Sequence, residues 1–282
     1  MHVFRTIKKL KAHLNSINSE KSSLGMVPTM GALHPGHLKL VEQALLENET
    51  VVVSVFVNPT QFDNKEDLRK YPKTLSDDKA LLNSLDKKII IFAPEVAEIY
   101  SDKVTSKEYD FNGLDKMMEG KFRTGHFNGV GTVVEALLTA VMPNRAYFGE
   151  KDYQQLQIIR KLLKILNLPI EIIGCPIVRE STGLAMSSRN ERLSDRLRKE
   201  AAFIYKVLQE AKDKFGTKSA NYVVNWAHKI FDEHPDFDLE YFKIMNSKNL
   251  KPVIRKQKGQ KYRAFIAVYA EGVRLIDNIA LN

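Results

Sequence analysis

Apolar runs and helix-like stretches alternate along the chain up to Cys175. The runs at 24–27, 50–57 and 87–94 are apolar at successive positions, as strands buried on both faces of a parallel sheet are. After Gly36 the apolar positions recur at helical spacing and place Leu38, Val41 and Leu45 on one face. A strand followed directly by a helix predicts the first βα unit of the fold.

The same alternation continues further along the chain. Apolar spacing predicts helices over 7–17, 75–85 and 153–166, and strands over 146–149 and 170–174. In the second of these helices we expect Ser76 to be the N-cap, and Asp77 and Asp78 to interact favourably with the helix dipole.

Strands that alternate with helices predict an α/β fold with a doubly wound parallel sheet. Ligands of such sheets bind outside the carboxyl ends of the strands. The loops after Val27, Val57 and Phe148 should therefore line one crevice.

The pattern changes from Arg179 onwards. A long helix is predicted from Ser194 to about Gly216, a second over 219–231, and strands over 237–245 and 262–281. Helices followed by clustered strands indicate a separate, smaller α+β domain. We therefore predict a first domain over 1–176 and a second over 177–282.

Composition narrows the class of protein. Hydrophobic residues make up 44% and charged residues 27% of 282 residues, and no apolar run approaches the roughly 18 residues of a membrane helix, so we expect a soluble protein. The single cysteine, Cys175, can form no internal disulfide, which favours the cytoplasm, and its apolar surroundings indicate an inert buried thiol. The net charge of +9 favours anionic ligands, either nucleic acid or small phosphorylated molecules.

The stretch VPTMGALHPGHLKLV, residues 27–41, places His34 and His37 where the first strand meets its helix. A helix N-terminus offers backbone amides and partial positive charge to phosphates, and Gly36 allows a close approach to the backbone. The alternative is a pair of surface histidines at a helix cap.

Two other groups of residues suit a phosphorylated ligand. Lys151 again follows a strand, and Asp152 either caps the next helix with Gln155 or contacts a ribose or metal. Hydroxyls and a guanidinium in the loop Ser187, Ser188 and Arg189 can donate several hydrogen bonds to one anion, although an ordinary interdomain loop has the same composition.

Carboxamides supply directional donors and acceptors, so Gln61 and Gln155 suit hydroxyls and a carboxylate, although each alone is typical of a protein surface. The segment 129–134 lacks the third glycine and the preceding strand of a dinucleotide fingerprint. His126 is interpreted as structural.

Five motifs occur together and in one order: VPTMGALHPGH, NPTQF, GHFNGVGTVV, YFGEKDYQQ and MSSRN. In this combination the chain closely resembles the pantothenate synthetase (pantoate–β-alanine ligase) family over nearly its whole length. The resemblance implies a Rossmann-like nucleotidyltransferase fold, shared with class I aminoacyl-tRNA synthetases. One departure is Thr124, where the family usually has proline, which leaves the stiffness of that loop open.

The resemblance also implies the reaction. The carboxylate of (R)-pantoate attacks the α-phosphate of ATP, pyrophosphate leaves, and the amine of β-alanine attacks the pantoyl adenylate to give pantothenate and AMP. Magnesium would accompany ATP, with no protein ligand identified. The family further implies a homodimer formed through the first domain, and a second domain that closes over the active site.

Carried over by motif, the resemblance assigns catalytic roles to His37, His34, Lys151 and Arg189. It assigns pantoate binding to Gln61 and Gln155, and β-alanine binding to Gln61. Its ATP-binding residues are Met30, Gly31, Ala32, Leu33, His34, Pro35, Gly36, His37, Gly149, Glu150, Lys151, Asp152, Val178, Met186, Ser187, Ser188 and Arg189.

Two other classes of protein share part of this pattern. A tRNA-charging enzyme has the nucleotide motifs, but the region after residue 176 is small for reading RNA. A basic nucleic-acid-binding protein would explain the charge and not the ordered strand-end motifs. We therefore expect small-molecule substrates, and neither nucleic acid nor membrane as a partner.

Overall fold

The computed structural model describes residues 1–17, 22–62, 65–86, 88–100 and 103–282. By its internal contacts the chain divides into two compact units. Unit 1 comprises residues 1–150 and 155–176, and unit 2 comprises residues 151–154 and 177–282.

Unit 1 is built on a parallel sheet. Within the described residues its six strands are β1 (His2–Phe4), β2 (Leu24–Thr29), β3 (Thr50–Val55), β4 (Ile90–Phe92), β5 (Arg145–Gly149) and β6 (Glu171–Cys175). Their order across the sheet is β1-β4-β3-β2-β5-β6, and every neighbouring pair is parallel. The predicted α/β fold with a doubly wound parallel sheet is confirmed.

Helices connect these strands. They are α1 (Ile7–Ile17), α2 (Pro35–Glu47), α3 (Lys65–Lys70), α4 (Leu75–Leu85), α5 (Val96–Ile99), α6 (Glu119–Phe122), α7 (His126–Val141) and α8 (Tyr153–Leu166). Val27 of β2 is fully buried in one core cluster with Leu40, Val41 and Ala44 of α2. Met26, its neighbour, is also fully buried and points to the opposite face of the sheet, because side chains alternate along a strand.

The topology explains where a ligand site can form in unit 1. From β2 the chain proceeds to β3 and β4 on one side, then returns to β5 on the other side of β2. The carboxyl ends of β3, β2 and β5 therefore lie side by side at one edge of the sheet, at the point where the strand order reverses. This is the arrangement predicted for the loops after these strands.

Unit 2 has a separate antiparallel sheet, in the order β7 (Asp238–Asn246), β8 (Tyr262–Ala270) and β9 (Val273–Ala280). Helices α9 (Asp195–Glu200), α10 (Ala202–Thr217) and α11 (Ala220–Asp232) precede it. Leu208, Val223, Phe242 and Ile266 are fully buried in the core cluster of this unit. The predicted smaller α+β region is confirmed.

Local details differ from the prediction in three places. Helix α4 begins at Leu75 with Thr74 as its N-cap, so Ser76 lies inside the first turn and the prediction of Ser76 as N-cap is wrong. The long helix expected from Ser194 is two helices, α9 and α10, with Ala201 between them at ψ −9°. Strand β1 was not predicted at all.

Two further observations concern the strand predicted over 87–94 and the membrane. Of the strand predicted over 87–94, residues Ile90–Phe92 form β4, and Lys87 lies outside the described residues. Among the residues that the structure describes, no helix has the length and apolar character to cross a bilayer.

Candidate active site

The two histidines that follow β2 cap their own helix. His34 is the N-cap of α2, and its Nδ1 accepts a hydrogen bond from the backbone N–H of Gly36 at 3.1 Å. The Nδ1 of His37 accepts from the backbone N–H of His34 at 3.3 Å. The two imidazole rings lie 4.0 Å apart between centroids.

These contacts determine where the protons lie. A ring nitrogen that accepts a hydrogen bond carries no proton, so in both neutral imidazoles the proton is on Nε2. The sequence predicted that the helix N-terminus would present its amides to a ligand. Instead, Pro35 has no N–H, the Gly36 N–H is bonded to His34, and the His37 N–H is bonded to the His34 carbonyl at 2.8 Å. The Nε2–H group of each imidazole is therefore a donor at this strand end.

The loop before the histidines is held by a buried carboxylate. Asp78 of α4 is 1% exposed, and its two oxygens accept from the backbone N–H groups of Ala32 at 3.2 Å and Leu33 at 2.7 Å. Gly31 has φ +79°, and Ala32 adopts the left-handed conformation at φ 50°, which is strained for a residue with a Cβ. Burial raises the pKa of Asp78, with the bonds from Leu33 and Ala32 opposing it.

Gln61 lies at the end of β3 in a short turn, Pro59–Gln61, and is buried at 8% exposure. Its Oε1 accepts from Asn58 Nδ2 at 3.2 Å, and its Nε2 donates to the sulfur of Met30. Asn58 is itself 1% exposed and accepts from the hydroxyl of Tyr100 at 2.5 Å. The structure thus brings Met30 and Gln61 together and fixes the orientation of the Gln61 carboxamide.

The remaining predicted residues of unit 1 are Gly149, Glu150 and Gln155. Gly149 ends β5, and a Cβ built there would meet no atom within 4 Å. Gln155, in the first turn of α8, is half-buried, and its carboxamide makes no hydrogen bond to the described part of the chain.

Lys151 and Asp152 belong by contacts to unit 2. The main-chain carbonyl of Lys151 accepts a hydrogen bond from Asn278 Nδ2 at 2.8 Å, and Asn278, 1% exposed, accepts in turn from Arg263. Lys151 Nζ lies 3.6 Å from the carboxylate of Asp152. Asp152 directly precedes α8, and its role as a cap or as a contact to a ribose or metal stays a prediction.

Val178 and Met186 are the two ends of a small hairpin, where the Met186 N–H donates to the Val178 carbonyl at 3.0 Å. Beside Val178, Arg179 forms a two-pronged ion pair with the buried Asp277, at 2.6 and 3.0 Å. The strand β9, which carries Asp277 and Asn278, therefore holds both the base of this hairpin and the Lys151 main chain.

The polar loop that follows the hairpin is an ordered turn. Ser187 caps the short helix Ser188–Arg192 by accepting from the Arg189 N–H at 3.2 Å. Asn190 is 1% exposed and donates to the Ala185 carbonyl at 3.1 Å, which ties the turn to the hairpin. Ser187, Ser188 and Arg189 are all half-buried.

Two negative interpretations are confirmed. Cys175 is 5% exposed and burial raises its pKa to about 11, so the thiol is not activated. The segment 129–134 lies inside helix α7 and contains no phosphate-binding loop. A Cβ at Gly129 would lie 2.4 Å from the Thr60 carbonyl oxygen, so this glycine permits close packing.

Sequence reasoning missed Asn58, Asp78 and Asn278. Asn58 belongs to the quoted motif NPTQF, and the preference of asparagine for capping turns was a usable signal. Asp78 was predicted only as a favourable charge in a first helical turn. No motif or pattern in the sequence around Asn278 indicated a role for this residue in the site.

Comparison with known proteins bears on this arrangement. The family model described as pantoate-beta-alanine ligase matches residues 2–280. The curated pantothenate synthetase of Christiangramia forsetii is 56% identical over 282 residues, covering 100% of both chains. The solved pantothenate synthetase of Thermus thermophilus matches with a TM-score of 0.91 and 40% identity, covering 100% of this chain and 99% of that one.

A solved pantoate-beta-alanine ligase from Francisella tularensis, complexed with beta-gamma ATP and β-alanine, matches with a TM-score of 0.81 and 36% identity. That match covers 100% of this chain and 98% of the other. Both the sequence and the fold of unit 1 and unit 2 thus have full-length counterparts with one activity. The chain belongs to the pantoate-beta-alanine ligase family.

Proposed function

We propose that the protein condenses (R)-pantoate with β-alanine in two steps, using ATP. A pantoate carboxylate oxygen attacks the α-phosphorus and pyrophosphate leaves, giving pantoyl adenylate. The β-alanine amine then attacks the acyl carbon, AMP leaves and the nitrogen loses a proton, giving pantothenate. The first step is needed because a carboxylate has only oxide to expel, whereas the mixed anhydride expels AMP.

The observation that carries this proposal is the pair of neutral imidazoles beyond β2. His34 and His37 both bear the proton on Nε2, so each can donate to a phosphate oxygen without first changing its protonation state. Donors held in place before the reaction stabilise charge that develops on the α-phosphate and the departing pyrophosphate. The relative from Francisella tularensis, complexed with beta-gamma ATP and β-alanine, supports a nucleotide as the ligand.

The two glutamines suit pantoate. Gln61 is fixed by Asn58 and Met30, so its carboxamide is oriented before substrate arrives, and it also serves the β-alanine site. Gln155 has a half-buried carboxamide with both donors and its acceptor available to pantoate hydroxyls and carboxylate.

Further groups complete ATP binding. In unit 1 these are the segment from Met30 to His37 together with Gly149 and Glu150, where open space at the Gly149 Cβ position allows close approach of a ligand. In unit 2 they are Lys151, Asp152, Val178 and the turn of Met186, Ser187, Ser188 and Arg189. Lys151 and Arg189 supply positive charge to the phosphates, and unit 2 closes during catalysis.

Magnesium is proposed as the ion that accompanies ATP. The described residues include no group of three or more His, Cys, Asp or Glu side chains arranged around a metal position. This fits an ion held by phosphate oxygens, water and at most one or two carboxylates, which is how Mg²⁺ usually binds with nucleotides. Bound there, the ion would neutralise phosphate charge.

An exchange assay tests the adenylate. Labelled pyrophosphate should enter ATP when pantoate is present, with β-alanine and RNA both omitted, whereas AMP should accumulate only after β-alanine is added. Exchange that requires β-alanine would contradict the formation of pantoyl adenylate from pantoate and ATP alone. Exchange that requires RNA would instead support a tRNA-charging enzyme. The homodimer and the cytoplasmic location stay predictions, and sedimentation equilibrium measures the first.

A further inference from the structure

The first turn of α7 contacts the Pro59–Gln61 turn through side chains to which the proposed function gives no role. His126, the first residue of α7, is 5% exposed. Its Nδ1 lies 2.9 Å from the main-chain oxygen of Gln61, and its Nε2 lies 3.0 Å from one terminal nitrogen of Arg123. The other terminal nitrogen of Arg123 donates to the same Gln61 oxygen at 3.1 Å.

The partners of His126 fix its proton. A carbonyl oxygen can only accept a hydrogen bond, so Nδ1 must carry the proton. A guanidinium can only donate, so Nε2 must accept. His126 is therefore neutral with its proton on Nδ1, which is the opposite tautomer from that of His34 and His37.

A second contact of the same helix supports the same turn. The carbonyl of Gly129, one turn further along α7, accepts from Asn58 Nδ2 at 3.0 Å. Asn58 Nδ2 also donates to the Gln61 side chain. Helix α7 thus fixes Gln61 twice, through His126 to its main chain and through Asn58 to its carboxamide.

We propose that His126, as the neutral Nδ1–H tautomer, is a positioning residue for pantoate binding. It holds the main chain of Gln61 so that the Gln61 carboxamide keeps its orientation toward pantoate. The proposal rests on the pantoate role of Gln61 given under the proposed function. Because His126 acts through Gln61, its loss affects pantoate binding far more than ATP binding.

Three variants separate positioning from simple packing. In His126→Asn the carboxamide nitrogen takes the place of Nδ1 and can still donate to the Gln61 carbonyl. In His126→Gln the carboxamide nitrogen takes the place of Nε2, and in His126→Leu no donor remains. In the pyrophosphate exchange assay we expect the pantoate KM to rise about tenfold in the Leu and Gln variants, the scale of one net hydrogen bond, with near-normal ATP KM. The Asn variant should have a pantoate KM close to that of the wild type.

Spectra of the wild-type protein provide a second test that does not depend on kinetics. Long-range ¹H–¹⁵N correlation spectra at pH 7 should show one imidazole with its proton on Nδ1, and that signal should disappear in His126→Asn. A signal from His126 with its proton on Nε2, or on both nitrogens, overturns the proposal. Equal pantoate KM values in wild type and a folded His126→Leu also overturn it. Absence of any pantoate-dependent exchange in the wild type contradicts the proposed function itself.

Discussion

Replacing Asp78 by asparagine should disturb the site, although Asp78 is not among the residues proposed to contact substrate. Each carboxylate oxygen of Asp78 accepts from one backbone N–H, those of Ala32 and Leu33. An asparagine has one acceptor oxygen and an amide group that only donates, so one of the two N–H groups must then face another donor. The segment that leads to His34 loses one of its two backbone hydrogen bonds to Asp78.

The size of the effect follows from two terms. A buried N–H group left without an acceptor costs about 1–3 kcal/mol. Ala32, at φ 50°, stores about 1–2 kcal/mol of left-handed strain that a relaxed loop would release. If the relaxed loop becomes favoured by about 1.4 kcal/mol, roughly one molecule in ten keeps the competent loop, and activity falls about tenfold.

The assay is pantoate-dependent pyrophosphate exchange, with circular dichroism to verify folding. Asp77→Asn is the matched control, because it removes the same charge from the neighbouring, exposed position of α4. We expect about a tenfold loss for Asp78→Asn by the population argument above and near-normal exchange for Asp77→Asn. A folded Asp78→Asn protein with full exchange activity would refute the view that this carboxylate holds the loop.

The same variant tests the protonation of Asp78. Burial raises the pKa of Asp78 above its usual value of 3.8. A raised pKa in the folded state contributes stability that is complete below the unfolded pKa and is lost as pH rises through the folded pKa. The unfolding free energy of Asp78→Asn minus that of the wild type should therefore increase from about pH 4 to pH 7 in urea titrations. A difference that is flat or falls would contradict this direction.

The other predictions concern residues proposed to contact substrate. His37→Ala and Lys151→Ala should each lower pantoyl adenylate formation about a hundredfold. Lys164→Ala, which changes an exposed lysine of α8, is the control and should have near-normal activity. Near-normal pyrophosphate release from the two folded site variants would mean that His37 and Lys151 are not catalytic. Gln155→Ala should weaken pantoate binding and spare ATP in calorimetric titrations, and the reverse pattern would contradict its assignment. Arg189→Ala should slow adenylate formation much more than the reaction of preformed adenylate with β-alanine in single-turnover experiments, and equal slowing would mean that Arg189 does not act on departing phosphate.

The parallel sheet could be predicted because its central strands carry their own signal. The run that became β3 (Thr50–Val55) is apolar on both faces, and helix α8 has helical spacing through all 14 of its residues. Strand β1 has three residues and depends on pairing with β4, close to 90 positions further along the chain, so no local pattern marks it. Ala201 likewise has no helix-breaking chemistry, and only its backbone geometry separates α9 from α10.

The candidate site shows the same division between local and distant information. His34 and His37 could be found because their capping contacts lie within three residues. The support behind them could not, because Asp78 contacts Leu33 across 45 positions and His126 contacts Gln61 across 65. The sequence alone favoured the common local interpretation of each residue. For Asp78 this was a charge that interacts favourably with the helix dipole, and for His126 it was a structural role.

The hydrogen bond from Asn278 to the Lys151 carbonyl also sets an order of events during synthesis, because it spans 127 positions. Ribosomes add about 5–20 residues per second, so Asn278 is made roughly 6–25 s after Lys151. By then every residue of unit 1, including His34 and His37, has already been made and can fold. A nascent chain therefore acquires its pair of histidines early, and its main-chain support for Lys151 only when the last strand of unit 2 arrives.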